Sequence, residues 1–342
     1  MRGSTTRAGA APFSRLRAAL GVTRLARVTR LDRAGVEVAC AIRPRGHVLQ
    51  VSNGKGERFA EAARGAVLEA AELFASEHPP PGQGPLALVP ARDLLSGAAR
   101  LVPARAVYCP APEARPVAGP EARWTSNGMG AHRTRDAALL HALLEAVERD
   151  QLARALPHFW TRRAVARRMI DRRALARAAP RTARLAARVE AGGFEVFLFD
   201  LGAQLPFPVG GALLFDLERG AVPATAGYAC ALSPDAALRG ALLEAAQSRL
   251  TDIHGAREDV EPMDREAARL LRRYCEGVRP ARSAAGLPRL GARGTAGAVA
   301  AVLRRLRRAG VREVAAVELA PPAPGIHVVK VLVPGFRLSG LL

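Results

Sequence analysis

Residues 51–77 read VSNGKGERFAEAARGAVLEAAELFASE, a glycine-flanked lysine followed by an apolar helical segment with two glutamates three residues apart. Side chains at this spacing share one helix face, and the rest of the face is Ala, Leu and Val. The pattern recurs in HALLEAVER and GALLEAAQ. The paired positions are Glu69, Glu72, Glu145, Glu148, Glu244 and Gln247. One such pair is usually solvated on a helix surface, but the repetition with apolar flanks predicts burial.

Buried carboxylates on several helices need a positive partner. Oxygen ligands that converge from separate elements suit a hard cation such as Mg²⁺, which is commonly held by few carboxylates while substrate phosphates complete its shell. The sequence therefore predicts a site for magnesium and a phosphorylated ligand. The alternative for each helix is an ordinary surface pair of acids.

Lysine is scarce in this chain, because only Lys55 and Lys330 occur among its 51 Lys and Arg residues. A retained lysine marks a position where a compact ammonium suits better than a planar guanidinium. Glycines on both sides of Lys55 would let the backbone approach a phosphate, although SNGKGER lacks the spacing of a Walker loop. A plain turn between strand and helix is the alternative interpretation.

The net charge of +20 suggests nucleic-acid binding, since basic surfaces capture phosphate backbones. The arginines are spread along the chain, however, and aromatic residues make up only 4%, which leaves few platforms for stacking bases. We therefore do not expect nucleic acid as the main partner. An acidic peptide or partner protein would also match this charge.

The composition, with 49% hydrophobic residues over 342 positions, favours a globular cytoplasmic enzyme with a substantial core. The four cysteines lie far apart without a CxxC pair, which argues against zinc ribbons and disulfide frameworks and favours inert, packed thiols. No apolar run reaches the length of a membrane span, and the N-terminus lacks the apolar core of a secretory signal.

The periodicity predicts a mixed α/β fold in a single composite domain at 13–342, after a disordered tail at 1–12. Strands are expected at 35–44 and 46–53, in FEVFLFDL, PVGGALLFDL and TAGYACALS, and in VREVAAVEL and HVVKVLV near the end. Acidic helices are expected at 60–76, 135–153 and 234–251, and a further helix at 295–309. The segments 78–85 and 125–134 are expected to be loops, and the stretch between them irregular. In the second loop, Ser126 and its neighbouring amides suit an anion at a helix start.

These segments resemble the successive blocks of the YcaO family. The resemblance rests on LGVTRLARVTRLDRAGVEVACAIRP, on VSNGKGERFAEAARGAVLEAAELFASE, on TSNGMG with LLHALLEAVERD, on ALLEAAQSRLTDIHGARED and on GIHVVKVLVPGF, in the family's order. It covers residues 13–336. It implies ATP and Mg²⁺ as cofactors and a peptide or protein as substrate. It also implies that ATP phosphorylates a backbone amide oxygen and that a nucleophile then replaces the phosphate.

The resemblance also implies roles for individual residues. The magnesium ligands would be Glu69, Glu72, Glu145, Glu148 and Glu244. The nucleotide would contact these residues and Lys55, Ser126, Arg149, Gln247, Arg249 and Arg257. The catalytic residues would be Glu145, Glu148 and Arg149.

Three positions depart from the family pattern: Gly65 replaces a usual Ser, Arg133 lies in a turn that commonly reads Gly-Asn-Thr, and Ala137 replaces a usual Glu. These departures leave open a degenerate ATP-binding protein that acts as a partner or scaffold. The chain also ends VPGFRLSGLL without the PxPxP tail of many azoline-forming members. Together with the lack of an N-terminal leader-binding domain, this favours thioamide formation with a TfuA-like partner over azoline formation with a leader-binding partner. The sequence leaves the oligomeric state open, a homodimer included.

Overall fold

A computed structural model describes residues 10–218, 220–255 and 263–339. Residues 1–9 of the expected tail and Arg257 lie outside this part, and the first helix begins at Ala10. The predicted mixed α/β fold is confirmed. The described residues form two compact units that alternate along the chain. Unit 1 contains the residues up to Arg27, Val38–Ala142 and Glu313–Val333, and unit 2 contains the others.

The described helices are α1 (Ala10–Ala19), α2 (Phe59–Glu77), α3 (Arg135–Ala155), α4 (Arg162–Arg168), α5 (Leu175–Ala178), α6 (Pro180–Ala191), α7 (Pro234–His254), α8 (Arg265–Glu276) and α9 (Gly294–Arg308). The described strands are β1 (Arg24–Arg27), β2 (Glu37–Ile42), β3 (Val51–Gly56), β4 (Leu88–Asp93), β5 (Ala99–Pro103), β6 (Met129–His132), β7 (Ile170–Asp171), β8 (Phe194–Asp200), β9 (Val209–Asp216), β10 (Ala224–Cys230), β11 (Arg282–Ser283), β12 (Ala315–Leu319) and β13 (His327–Leu332).

Unit 1 contains two sheets. One has the order β1-β2-β3, and the other is an antiparallel sheet with the order β5-β4-β12-β13-β6. The Ala-rich face of α2 packs against β3 and β6 and contributes much of the buried core of this unit. A Cβ at Gly54 would lie 2.0 Å from the Ala62 carbonyl oxygen of α2. Glycine is therefore required where this helix meets the strand.

Unit 2 is built on an antiparallel sheet with the order β10-β9-β8. Helix α7 packs against β10 and β9, and a Cβ at Gly227 would lie 2.2 Å from the Ala241 carbonyl oxygen. The sequence defines the start of this helix, because the Ser233 hydroxyl accepts from Ala236 N–H and Pro234 occupies the first turn. Gly255, with φ of +65°, ends it. Short strands β7 and β11 pair in parallel.

The acidic helices occur where the sequence predicts them, with ends extended by one to three residues. Two predictions were wrong. The expected loop at 125–134 contains β6, and the expected irregular stretch contains β4 and β5. These short segments, rich in Ala, Gly and Pro, have little strand propensity, and their pairing with β12 and β13 decides their conformation. None of the described helices has the length and hydropathy that crossing a membrane requires.

Candidate functional site

In unit 1 the two carboxylates of α2 bind the edges of two different sheets. Glu69 Oε2 accepts a hydrogen bond from Asn53 N–H of β3 at 2.8 Å. Glu72 Oε1 accepts from Ala131 N–H of β6 at 2.7 Å. Both strands lie at the end of their sheets, so each carboxylate takes the place of a neighbouring strand's carbonyl group. One helix turn thus holds both sheets to α2.

Unit 2 repeats this arrangement at the edge strand β10. Glu244 Oε1 accepts from Tyr228 N–H at 3.3 Å, and Glu148 Oε2 accepts from Cys230 N–H at 2.9 Å. The two amides are two residues apart, so both point to the side of β10 away from β9. The premise that these carboxylates need a cation was therefore incomplete, because strand amides already serve as hydrogen-bond partners.

Arg149 lies among the carboxylates of unit 2. Its Nη2 is 3.4 Å from Glu145 Oε1, and its Nε is 3.6 Å from Glu148 Oε1. The pKa of Glu148 is raised to about 7, chiefly by burial; Arg149 opposes this rise, and the charges of Glu244 and Glu145 contribute to it. Burial by itself lowers the pKa of Arg149, but the three carboxylates Glu148, Glu145 and Glu244 leave that pKa above its ordinary value. One guanidinium thus faces an excess of negative charge.

This donor set fits a magnesium site that is completed by phosphates. Within the described residues, no group of three or more acidic, histidine or cysteine side chains is arranged to hold a metal ion by itself. The carboxylates of Glu145, Glu148 and Glu244 nevertheless supply oxygen atoms only, and they carry more charge than Arg149 neutralises. Mg²⁺ prefers such ligands and usually retains waters or substrate oxygens in its shell.

Lys55 is half-buried within β3 and not in a turn between strand and helix, which was the alternative interpretation. The glycine before it is needed for the packing of α2 on β3, which accounts for Gly54 without a ligand. Ser126 is exposed in the loop before β6, and its carbonyl oxygen accepts from Met129 N–H at 3.1 Å. Both residues belong to unit 1 with Glu69 and Glu72.

Arg249 is placed in the core of unit 2 instead of among the predicted nucleotide contacts. Its side chain is 1% exposed, with Nε 3.0 Å from Asp32 Oδ2 and Nη2 3.1 Å from Asp216 Oδ2. Nη1 donates to the Val222 carbonyl oxygen, and Phe194 packs against the guanidinium. These contacts use all three of its nitrogen atoms, and the predicted role of Arg249 at the nucleotide stays a prediction. Gln247 is half-buried two residues before Arg249.

Sequence reasoning missed the groups that surround the carboxylates of unit 2. Tyr228 is buried, which raises the pKa of its hydroxyl, and its oxygen accepts a hydrogen bond from Trp160 Nε1 at 3.2 Å. The Trp160 ring packs against Phe199 at 4.5 Å. Strand periodicity did not indicate a role for Tyr228 or Trp160. Their positions depend on a backbone hydrogen bond to Glu244 and on a contact between residues far apart in the sequence.

The cysteines are free thiols in the structure. Burial raises the pKa of Cys40 to about 11 and that of Cys275 to about 12, and it also raises the pKa of Cys109 and of Cys230. All four thiols therefore stay protonated near neutral pH. This agrees with the interpretation of packed, unreactive cysteines.

The structure locates the three departures from the family pattern. A Cβ at Gly65 would lie 3.4 Å from Gly54 Cα, an ordinary contact, so the helix does not require glycine there. Arg133 is exposed directly after β6, and Ala137 is half-buried in the first turn of α3.

Comparison with known proteins identifies the family. A family model described as YcaO cyclodehydratase, ATP- and Mg²⁺-binding, matches residues 78–337. An uncharacterized protein of Methanothermobacter thermautotrophicus is 30% identical over 360 residues, which cover 93% of this chain and 90% of that protein. An uncharacterized protein from the tfuA 3′ region of Rhizobium leguminosarum bv. trifolii is 28% identical over 366 residues, which cover 93% of this chain and 84% of that protein.

The fold agrees with this result. The solved structure of YcaO from Methanopyrus kandleri bound with AMPPCP and Mg²⁺ is similar with a TM-score of 0.74 at 23% identity, over 95% of this chain and 88% of that chain. The chain belongs to the YcaO family of ATP- and Mg²⁺-binding proteins. The resemblance to the YcaO family that the sequence motifs indicated is confirmed, and so is the expectation of ATP and Mg²⁺ as cofactors.

Proposed function

We propose that the protein activates a backbone amide of a peptide or protein by O-phosphorylation, and that sulfur then replaces the amide oxygen to give a thioamide. The carboxylate cluster of Glu145, Glu148 and Glu244 around Arg149 carries this proposal, because it belongs to a chain whose family binds ATP and Mg²⁺. The reaction would take place in the cytoplasm, where ATP is plentiful.

ATP supplies the phosphoryl group that makes the amide oxygen a leaving group, and Mg²⁺ neutralises phosphate charge. Glu145, Glu148 and Glu244 are the residues that we assign to the metal in unit 2. Arg149 is held beside them by two of these carboxylates, so its guanidinium is oriented before a phosphate arrives. In unit 1 we assign Glu69 and Glu72 to the metal.

The remaining assignments are the contacts of the nucleotide with Lys55, Ser126 and Gln247. Lys55 would meet a phosphate as a point charge, whereas Ser126 offers its hydroxyl and the amides of its loop.

The choice of thioamide formation is supported by the relative from the tfuA 3′ region, which favours a TfuA-like partner for this chain. The second candidate is azoline formation with a leader-binding partner, which the description of the family model as a cyclodehydratase favours. The third candidate is a degenerate ATP-binding scaffold, for which the departures at Gly65, Arg133 and Ala137 argue.

We expect Mg²⁺-dependent ATP binding that Glu148→Gln largely removes, because the variant loses a charged oxygen ligand for the metal. Calorimetry with ATP, in the presence and absence of Mg²⁺, measures the affinity. Glu113→Gln, an exposed position, is the matched control and should bind like the wild type. Equal ATP affinity with and without Mg²⁺ would rule out the proposed site.

The product distinguishes the candidate reactions. With ATP, Mg²⁺, sulfide, the partner and the peptide, we expect replacement of one oxygen by sulfur and release of ADP and phosphate. Mass spectrometry then detects a heavier peptide, whereas azoline formation removes one water and makes it lighter. A dehydrated product would favour the second candidate. ATP binding with an unmodified peptide under both conditions would favour the scaffold.

A further inference from the structure

The α3–α4 corner, residues 157–163, holds a phenylalanine in a conformation that usually favours glycine. Phe159 has a φ of +57° and is, in the described part of the chain, the only residue other than glycine with a positive φ. This conformation brings Cβ too close to the following carbonyl oxygen, so a residue with a side chain adopts it at a cost in free energy. Glycine would adopt it more easily. The turn itself therefore does not account for a phenyl group at this position.

The conformation of the corner is fixed on both sides of Phe159. Its N–H donates to the Leu156 carbonyl oxygen at 3.2 Å, and Thr161 N–H donates to the Phe159 carbonyl oxygen at 3.1 Å. Trp160, between them, is anchored within unit 2, because its Nε1 donates to the Tyr228 hydroxyl at 3.2 Å. The Phe159 residue, by contrast, is 57% exposed. Packing thus accounts for Trp160 but not for Phe159.

Trp160 connects the corner to the carboxylates of unit 2. The Tyr228 hydroxyl accepts from Trp160, and the N–H of the same tyrosine donates to Glu244. The pKa of Tyr228 is raised chiefly by burial, and the charges of Glu244, Arg149 and Glu148 also act on it, so these groups are its neighbours. One buried tyrosine therefore separates Trp160 from the residues that we assign to the metal.

The surface that follows Phe159 is positively charged. Helix α4 reads RRAVARR and contains no acidic residue. Its Arg162, Arg163 and Arg167 are exposed, and their side chains form no ion pair or hydrogen bond with any residue that the structure describes. Arg282 adds a charge beside α4, because its Nε donates to the Arg167 carbonyl oxygen at 3.1 Å. An exposed phenyl ring next to these guanidinium groups suits a ligand that carries both apolar and acidic side chains.

We propose that the α3–α4 corner is a docking site for the peptide substrate, with Phe159 against an apolar side chain and Arg162 and Arg163 near acidic side chains. The inference rests on the proposed function, which supplies a peptide as the ligand. Phe159 would select the peptides that bind and would take no part in the reaction.

The test is NMR of the tryptophan indole N–H signals during titration of the full chain with synthetic peptides. The probe is a short peptide with one leucine between glutamates. We expect it to shift the signal of Trp160, which follows Phe159 directly. The chain has one other tryptophan, Trp124, whose signal should not move and serves as the internal control. A peptide with serine in place of the leucine should bind about tenfold more weakly, and one with lysines in place of the glutamates should not bind.

Phe159→Gly separates binding from folding. It removes the ring and also relieves the positive φ, so urea unfolding should show a variant at least as stable as the wild type. The same variant should bind the leucine peptide about tenfold more weakly. Leu101→Ser, at an exposed leucine of unit 1, is the matched control and should bind like the wild type.

An unmoved Trp160 signal, or wild-type peptide affinity in folded Phe159→Gly, would overturn the inference. Equal binding of the leucine and serine peptides would reduce the corner to charge attraction alone and would also contradict it. An equal shift of the Trp160 signal by duplex DNA would instead assign the corner to nucleic acid. A wild type that docks the leucine peptide but binds no MgATP would sink the proposed function and leave the docking site standing.

Discussion

The protonation of Glu148 depends on opposing influences. It is 8% exposed, accepts one backbone N–H, and lies near two further carboxylates and one guanidinium. Burial is the main cause that raises its pKa from 4.5 to about 7. Between these two pH values the folded, ligand-free protein binds a proton at Glu148, whereas the unfolded chain has released it. In the proposed site, Glu148 would bind a metal ion only after it loses this proton.

The stability of the ligand-free protein should fall between pH 4.5 and 7, because in this window the folded state binds the Glu148 proton and the unfolded state does not. Below the window, wild type and Glu148→Gln should be similarly stable. Above it, the variant should be more stable, by an upper bound on the order of 3 kcal/mol. Urea unfolding at pH 4 and pH 8 without Mg²⁺ or nucleotide measures this. A difference that does not change with pH would contradict the raised pKa.

Helix α7 shows how one element serves both the core and the site. Glu244 binds the edge of β10, and Arg249 is buried against Asp32 and Asp216. Asp32 lies before β2, and Asp216 ends β9, so Arg249 connects α7 to two other segments of unit 2. These contacts anchor α7 in the core of unit 2.

Arg249→Met should destabilise the protein by about 3–5 kcal/mol, since it leaves two buried carboxylates without their positive partner. The folded fraction should bind MgATP with wild-type affinity, because Arg249 faces the core. Arg249→Lys keeps the charge and should cost less. Denaturant unfolding together with calorimetry separates the two effects. Lost ATP binding in a stably folded Arg249→Lys variant would restore the nucleotide role that the sequence suggested.

The net positive charge of the whole molecule is partly offset by ion pairs. The chain has 51 Lys and Arg residues against 31 Asp and Glu residues, but many arginines serve internal ion pairs. Examples are the pairs of Arg33 with Asp216, of Arg172 with Glu190 and of Arg272 with Glu195. The excess positive charge is therefore spread out, and it favours weak attraction of polyanions over a specific nucleic-acid site.

Binding to random duplex DNA should be detectable at low salt and lost by about 0.2 M, as expected for counterion release at a diffuse basic surface. Fluorescence anisotropy over a salt series measures this, with MgATP binding under the same conditions as the comparison. Tight DNA binding that persists at 0.2 M salt would instead indicate nucleic acid as a functional partner.

Local sequence was sufficient to predict the acidic helices and the order of the main strands. Alanine, leucine and glutamate favour helix, Ser233 and Pro234 mark the start of α7, and alternating apolar residues mark β8, β9 and β10. It also gave the family and the choice of cofactors, because ExxE pairs and the TSNGMG segment are local patterns. The strands β4, β5 and β6 were missed, since pairing with residues far along the chain decides their conformation.

Residue types and their spacing are enough to predict which helices carry the acidic residues and which chemistry these residues favour. The partners of these residues became clear only from the folded structure. It showed that Glu69, Glu72, Glu148 and Glu244 bind strand edges, that Arg249 belongs to the core, and that Lys330 holds the loop before β6. The reason is physical: the periodicity of a helix defines a face, whereas hydrogen-bond partners and burial depend on which distant segments pack against that face.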